Sequence, residues 1–233
     1  MQSGALYEQD VPLAPAAREG AYTTKPDHYF TGARTDFVED LPDDLNAQIL
    51  EIGCGTGATG RLAIARGKCA RYYGVELNSE AASIAAQQLH EVIHGDVETL
   101  NLPWTPRKFD ALIMSEVLEH LADPWSVLAK LHLLLKPGAL VLAGSPNVAH
   151  YRVILMLLRG DWQLADSGVM DRTHLRWFTP RSYGRLFRET GYEGTGTVGI
   201  GQDGFKARIA SRLLFGHFDW LWARQIKIPA RPI

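Results

Sequence analysis

Residues 48–57 read Gln48-Ile49-Leu50-Glu51-Ile52-Gly53-Cys54-Gly55-Thr56-Gly57. The apolar run ends at a series of glycines, a pattern typical of a buried parallel strand followed by a tight turn. Because glycine has no Cβ, the backbone of such a turn can approach a nucleotide-like ligand closely. A helix is expected directly after the turn, over roughly Thr59–Arg66. This strand, loop and helix together predict a nucleotide-binding α/β domain.

The rest of the chain alternates between short apolar runs and amphipathic stretches. Further strands are expected at Arg71–Val75, Glu91–His94, Phe109–Met114, Leu140–Gly144, and around Gly194–Gly201 and Phe218–Ile228. Further helices are expected at Arg34–Leu41, Ser79–Leu89, Pro124–Leu135 and Pro180–Thr190, with Lys136-Pro137-Gly138 ending the third of these. The alternation predicts a doubly wound, mostly parallel sheet with right-handed crossovers. Ligands bind such sheets at the carboxyl ends of the strands.

The domain organisation follows from two departures from this rhythm. Residues 1–26 are rich in alanine, proline and glycine without a period, which predicts a loosely packed arm before a domain over residues 27–233. Residues 147–178 interrupt the alternation after the fifth strand. We interpret them as a lid insertion that covers the active-site face.

Composition narrows the class of protein. The chain has 46% hydrophobic and 21% charged residues and a net charge of −2, so no general nucleic-acid binding is expected. Two cysteines, Cys54 and Cys69, offer neither a disulfide framework nor zinc-site spacing, and with no secretion signal in view they favour a cytoplasmic setting. The apolar run Val153–Leu158 is too short to span a membrane and is more typical of a packed helix. Nothing indicates the oligomeric state.

The glycine loop matches two cofactor patterns. Residues 55–60 fit the dinucleotide fingerprint G-x-G-x-x-G, which by itself is weakly specific. Glu51, directly before the loop, favours S-adenosylmethionine (SAM) over NAD, because a carboxylate would repel a pyrophosphate and attract an ammonium and a sulfonium.

Polar residues at later strand ends agree with a bound nucleoside. Glu76 could accept hydrogen bonds from ribose hydroxyls, although this would serve NAD equally well. Asp96 could accept from an adenine amino group, with Val97 beside it, and Cys54 would be a small residue packed under the cofactor. The residues assigned to the cofactor in this way are Glu51, Gly53, Cys54, Gly55, Gly57, Glu76, Leu77, Asp96, Val97, Ser115 and Glu116.

Residues 49–147 resemble class I SAM-dependent methyltransferases. The motifs that carry the resemblance are Leu50–Gly57, Gly74-Val75-Glu76, Gly95-Asp96-Val97, Phe109-Asp110, Ser115–His120 and Leu135-Lys136-Pro137-Gly138. The resemblance implies a Rossmann-like sheet of seven strands with an antiparallel last strand. Tyr29 and Arg34 also resemble residues that family members place over the methionine end of SAM.

A narrower likeness covers Ser145–His150 and Met170–Thr179. These segments look like a bacterial subgroup associated with surface-polysaccharide and glycosyl pathways. The likeness implies a small-molecule or glycosyl acceptor and does not identify it.

Candidate catalytic residues are His120, His174 and Asp171, since an alcohol acceptor benefits from a general base. Glu116, Glu119 and His120 form an E-x-x-E-H string that would share one face of a helical turn and could bind a divalent ion. The string resembles one used for metal by small-RNA 2′-O-methyltransferases and some ubiquinone-pathway O-methyltransferases.

Four functions therefore stand at this point. The first is a SAM-dependent methyltransferase acting on oxygen of a small or glycosyl-type molecule. The alternatives are a metal-assisted O-methyltransferase of quinone or RNA type, an NAD-dependent oxidoreductase, and a non-catalytic SAM-binding subunit.

Overall fold

The computed structural model describes residues 31–194, 196–202 and 219–233. Tyr29, the 1–26 arm and Phe218 lie outside these residues. The helices are α1 (Thr35–Asp40), α2 (Ala58–Ala65), α3 (Ser79–Ala85), α4 (Pro124–His132), α5 (Tyr151–Leu158) and α6 (Pro180–Glu189). The strands are β1 (Gln48–Ile52), β2 (Arg71–Glu76), β3 (Glu91–His94), β4 (Phe109–Ser115), β5 (Leu135–Pro146), β6 (Tyr192–Gly194), β7 (Val198–Gln202) and β8 (Ala223–Pro232).

The strands form one sheet in the order β3-β2-β1-β4-β5-β8-β6. Strands β1 to β5 are parallel, and β8 is antiparallel to β5, which confirms the predicted antiparallel last strand. Both β6 and β7 pair with the edge of β8 that faces away from β5. The eight strands found in the described residues therefore occupy seven positions across the sheet, in agreement with the Rossmann-like prediction.

Both faces of the sheet are covered, because side chains alternate along each central strand. On one face Leu50 and Ile52 of β1 pack in a cluster with residues of α4 and α6. On the other face Ile49 packs in a cluster with residues of α1, α2 and α3. The doubly wound arrangement leaves the carboxyl ends of the strands for ligands.

Gly60 of α2 allows the helix to pack closely on β2. A Cβ at Gly60 would lie 2.5 Å from both the Tyr72 ring and the Leu89 side chain. We expect Gly60→Ala to lower the free energy of unfolding by about 1–3 kcal/mol through overpacking. Gly184 of α6 is the matched control, because a Cβ there would meet only ordinary contacts at 3.4 and 3.8 Å.

Gly184→Ala should instead stabilise the fold by about 0.5–1 kcal/mol, since alanine is the better helix former. Urea unfolding of the two variants measures both effects. A Gly60→Ala protein as stable as Gly184→Ala would contradict the packing argument.

The boundary between α4 and β5 differs from the prediction. The helix ends at His132, and Lys136-Pro137-Gly138 lies inside β5. The reason is tertiary: the Lys136 ammonium pairs with the Asp110 carboxylate of β4 at 2.8 Å. Gly138 has a φ of +78°, and the strand register shifts between Phe109 and Ala111. The segment Lys136-Pro137-Gly138, which was predicted to end a helix, is therefore part of a strand with an irregular register.

Two other expectations need correction. The final strand begins at Ala223, because a 3₁₀ turn (Asp219–Leu221) precedes it and the Asn147 amide donates to the carbonyls of Trp220 and Ala223. Helix α5 is not a packed helix, since Val153 is its only buried residue. No helix in the described ranges is long and apolar enough to cross a membrane.

Candidate active site

A cavity of about 730 Å³ lies at the carboxyl ends of the central strands. Most of the predicted site residues line it, although they come from the N-terminal region, four strand ends and the lid. The predicted residues in its wall are Arg34, Gly53, Cys54, Gly55, Glu76, Leu77, Asp96, Val97, Ser115, Glu116, His120, Asp171 and His174. Glu51 and Gly57 are absent from the wall.

The glycine loop adopts backbone conformations that other residues disfavour. Gly53, Gly55 and Gly57 have φ values of +71°, +53° and +84°. A Cβ at Gly53 would lie 2.6 Å from the Val117 side chain, so this position requires glycine for space as well. Gly57 lies at the N-cap of α2, where its conformation starts the helix. Gly57 does not line the cavity.

Glu76 ties the end of β2 to the glycine loop. Its carboxylate accepts the Gly55 N–H at 2.8 Å and the Asn78 N–H at 2.9 Å. Burial raises the pKa of Glu76, and these N–H donors act in the opposite direction. The side chain is thereby held at the cavity wall with a fixed orientation.

Glu51, which the sequence predicts as a cofactor residue, does not line the cavity. Its side chain points to the side of the sheet that carries Ile49, and its carboxyl accepts the Tyr72 hydroxyl at 3.0 Å. Burial raises the pKa of Glu51 to about 8. Glu51 therefore belongs to the core behind the loop and does not line the cavity.

Glu51→Gln should stabilise the protein at alkaline pH. The pKa of this carboxyl is about 8 in the folded protein and has its ordinary, lower value in the unfolded chain. The carboxyl therefore costs no folding free energy below its unfolded-state pKa, and it destabilises the fold increasingly as pH rises toward 8. The amide mimics the protonated acid, so we expect the variant to gain a few kcal/mol, on the order of 2–4, at about pH 8 and little at about pH 4. Urea unfolding across this range measures the effect.

Exposed Glu39 of α1 provides the control, because Glu39→Gln should leave the pH profile unchanged. A Glu51→Gln protein that is destabilised equally at both pH values would contradict the inference that the acid is protonated.

A further part of the cavity wall is formed by residues that follow β3. Asp96 is buried, and its Oδ1 accepts the Glu98 N–H at 2.9 Å. The Lys130 ammonium donates to the carbonyls of Val97 and Leu100 and so fixes this loop. Val97 and Leu121 supply apolar wall beside the Asp96 carboxylate.

Arg34 also lines the cavity. Its guanidinium forms two hydrogen bonds of 2.9 Å to the Asp36 carboxylate and donates a third to the Ser115 hydroxyl. Its backbone N–H donates to the Thr59 hydroxyl at 3.2 Å. These contacts hold a positive group at the end of β4.

Glu116 occupies a strained position at the end of β4. Its φ of +56° is uncommon for a residue other than glycine. Burial raises the pKa of Glu116 to about 7, and the Arg34 charge opposes the shift. Among the described residues, its buried Oε1 has no hydrogen-bond partner. A ligand that donates hydrogen bonds or carries positive charge would satisfy this oxygen.

The segment 147–178, which the sequence predicts as a lid, brings His174 to His120. The two rings are 4.8 Å apart between centroids. His120 Nδ1 lies 3.2 Å from the Thr173 carbonyl, and His174 Nδ1 lies 3.2 Å from the Val169 carbonyl. Because a carbonyl only accepts, each neutral ring carries its proton on Nδ1 and has Nε2 as its unprotonated nitrogen.

Asp171 supports the position of His120 indirectly, through Thr173. Its Oδ1 accepts both the Thr173 N–H (2.9 Å) and the Thr173 hydroxyl (2.8 Å). Thr173 in turn contacts His120 Nδ1 through its hydroxyl at 3.3 Å. Thr173, which the sequence reasoning did not single out, thus joins Asp171 to His120. Thr173 follows Asp171 by two residues, the spacing at which an aspartate side chain commonly accepts a backbone N–H. This spacing was the sequence signal that could have predicted the contact.

The predicted metal string is only partly assembled. Glu116 precedes the 3₁₀ turn Leu118–His120, so its positive φ removes it from the expected helical face. The group that could hold a metal ion is instead Glu119, His120 and His174, whose ligand atoms lie within 4.8 Å of one another. Glu119 is buried, and its backbone carbonyl accepts the Leu175 and Arg176 N–H groups, which fastens the lid here.

A family model described as a methyltransferase domain matches residues 27–195. The chain belongs to this family. It is a SAM-dependent methyltransferase domain, with SAM as the methyl donor that the family implies. The family assignment replaces the nicotinamide alternative and agrees with the prediction of SAM as the cofactor.

Similar proteins carry the same fold. A ubiquinone biosynthesis O-methyltransferase of Chromobacterium violaceum is 29% identical over 175 residues, which cover 72% of this methyltransferase and 73% of the relative. The crystal structure of a SAM-dependent methyltransferase from Mesorhizobium loti has a TM-score of 0.61 at 16% identity, covering 86% of this chain and 98% of that one. One from Archaeoglobus fulgidus has a TM-score of 0.60 at 18% identity, covering 88% and 97%. At these identities the structures establish the fold alone.

Proposed function

We propose that this methyltransferase methylates a hydroxyl oxygen of a small or glycosyl-type acceptor. The observation that carries the proposal is the pair of imidazoles in the cavity wall. In each ring the Nδ1–H donates to a backbone carbonyl, which leaves Nε2 as the basic nitrogen. A hydroxyl is a poor nucleophile until its proton is removed, and a positioned imidazole performs that task near neutral pH.

The cavity wall suits SAM. Glu76 and Asp96 are acceptors for the hydroxyl and amino groups of a nucleoside, Arg34 is a partner for a carboxylate, and Glu116 Oε1 is a buried acceptor for a cation. When bound, SAM supplies a methyl group on a sulfonium, which is already a good leaving group. The chain's own residues are then required mainly to bind, orient and exclude water, which can contribute roughly 7–11 kcal/mol through positioning.

The acceptor side of the proposed site is formed by the 3₁₀ turn Leu118–His120, by lid residues and by β8. His120 and His174 can hold the hydroxyl proton on Nε2, and Thr173 with Asp171 positions the His120 ring. Arg172 and Gln225 line the same cavity and offer hydrogen-bond donors for a polyhydroxylated molecule. We therefore place the surface-polysaccharide and glycosyl class first among acceptors.

The direct test is a methyl-transfer assay with labelled SAM and matched acceptors. We expect labelled product with a free-hydroxyl glycoside or phenol and none with the same molecule whose hydroxyls are capped as methyl ethers. If a capped molecule that carries an amine or a thiol gives labelled product equally well, oxygen is not the acceptor atom.

A second candidate is a metal-assisted O-methyltransferase. Glu119, His120 and His174 place one carboxylate and two imidazoles together, a ligand set that suits several divalent metals. Metal-bound histidines usually donate their other ring N–H to a carbonyl or carboxylate, as both do here. Among the described residues, neither carboxylate oxygen of Glu119 forms a hydrogen bond. A bound divalent ion would lower the pKa of an acceptor hydroxyl.

Metal removal separates the two candidates. For the metal-assisted function we expect chelator treatment to lower turnover about 100-fold or more, with recovery on adding back Mg²⁺, Mn²⁺ or Zn²⁺. Glu119→Gln should also lose metal binding in calorimetry. Glu98, an acidic residue outside this group, provides the control as Glu98→Gln. Turnover that is indifferent to chelation would exclude the metal and leave the imidazole base.

A further inference from the structure

Helix α5 of the lid is an apolar helix with little packing in the described part of the chain. Its sequence is Tyr-Arg-Val-Ile-Leu-Met-Leu-Leu, and only Val153 is buried. Leu155, Leu157 and Leu158 are 44%, 51% and 77% exposed. A helix this apolar is normally buried in a folded protein. Where apolar side chains are exposed together instead, they often mark an interaction site.

The apolar surface extends beyond the helix. Every residue from 157 to 168 is exposed, including Trp162 and Leu164. The Trp162 ring packs edge-to-face on Trp177 at 5.5 Å, which joins the loop after α5 to the C-terminal arm of the lid. We define the lid face as Leu155, Leu157, Leu158, Trp162, Leu164 and Trp177.

Arginines accompany this surface. Arg152 and Arg159 lie at the two ends of α5, and Arg172 and Arg176 lie in the C-terminal arm; all four are exposed. The exposed acids of the lid are Asp161 and Asp166, and the latter pairs with Arg172 at 2.7 Å. The lid surface therefore has a positive excess, although the whole chain has a net charge of −2.

We propose that the lid face docks on an anionic lipid bilayer. Exposed leucine and tryptophan combined with exposed arginine in the same segment is the composition of interfacial helices, in which apolar side chains enter the headgroup boundary and cations meet lipid phosphates. The long aliphatic stems of the arginines allow their charged ends to reach the phosphates.

A second copy of this chain is the competing occupant of an apolar face. Two copies joined through the lid face would bring the positive excess of one lid against that of the other. Anionic headgroups carry the complementary charge. Arg172 and Leu175 line the cavity and are also exposed, so docking would bring the cavity next to the bilayer surface.

Vesicle sedimentation tests the proposal with the full chain. We expect binding to phosphatidylcholine vesicles that contain phosphatidylglycerol, weaker binding to phosphatidylcholine alone, and loss of binding as salt rises. The double variant Leu157→Gln/Leu158→Gln should bind at least about tenfold more weakly. Arg152→Gln and Arg159→Gln should each weaken binding about fivefold.

The matched control is Leu45→Gln/Leu133→Gln, which alters two leucines that are each 65% exposed outside the lid. It should bind vesicles like the unaltered chain, and thermal unfolding checks that all variants fold. The proposal is overturned if the unaltered chain binds neither vesicle, or if the lid variants bind as well as the control. It is also overturned if light scattering shows a dimer that Leu157→Gln/Leu158→Gln converts to a monomer.

Discussion

His174→Ala should lower turnover by about 10²–10⁴-fold and leave SAM affinity within about twofold. The imidazole is buried in the lid, its Nδ1 contacts the Val169 carbonyl, and its ring faces His120. Its removal takes away a proton acceptor and leaves the glycine loop untouched. Single-turnover kinetics with labelled SAM and calorimetry of SAM binding measure the two quantities separately.

A further readout separates a base from a merely structural histidine: added imidazole should partly restore turnover of the variant. His90→Ala is the control, since His90 is exposed and outside the cavity wall. Loss of SAM binding equal to the loss of turnover would refute the role assigned to His174.

Glu76→Ala should weaken SAM binding about 100-fold or more. The Glu76 carboxylate is buried at the cavity wall and also accepts the Gly55 and Asn78 N–H groups. Hydrogen bonds to a charged group contribute about 1.5–3 kcal/mol each, so loss of two ligand contacts gives an effect of this order. Isothermal titration calorimetry with SAM and with S-adenosylhomocysteine measures it.

A graded comparison sharpens this test. Glu76→Gln keeps one acceptor oxygen and should lose less affinity than Glu76→Ala, whereas Glu39→Ala on the exposed surface of α1 should bind like the unaltered protein. Affinity within about threefold in Glu76→Ala would mean that the carboxylate orders the loop without holding the nucleoside.

Much of the fold could be predicted from the sequence because its signals are local. The apolar run Gln48–Ile52 and the glycines after it specify a strand and a turn by side-chain pattern and backbone freedom alone. The same holds for the Thr179 cap and Pro180 at the start of α6. Lys136-Pro137-Gly138 is a counterexample, because pairing with β4 overrode a local turn signal.

The candidate site shows a similar division. Glu76 and Asp96 line the cavity as expected, since residues that follow parallel strands meet at one edge of the sheet. Glu51 does not line the cavity, because the side of the sheet that it faces depends on alternation and on its neighbour Tyr72, which only the strand register reveals. The predicted electrostatic role of Glu51 therefore gains no support from the structure, because a buried carboxyl whose pKa is raised to about 8 is mostly uncharged near neutral pH.

The sequence by itself determined the strand–loop–helix unit, the doubly wound sheet and the cofactor class, because adjacent residues carry those signals. Only the tertiary structure decided which of the candidate catalytic groups lie together. His120 and His174 are distant in sequence and meet because the Glu119 carbonyl binds the lid backbone at Leu175 and Arg176. It also decided that α5 is exposed, since burial depends on which elements fold over a helix and its own residues do not encode that.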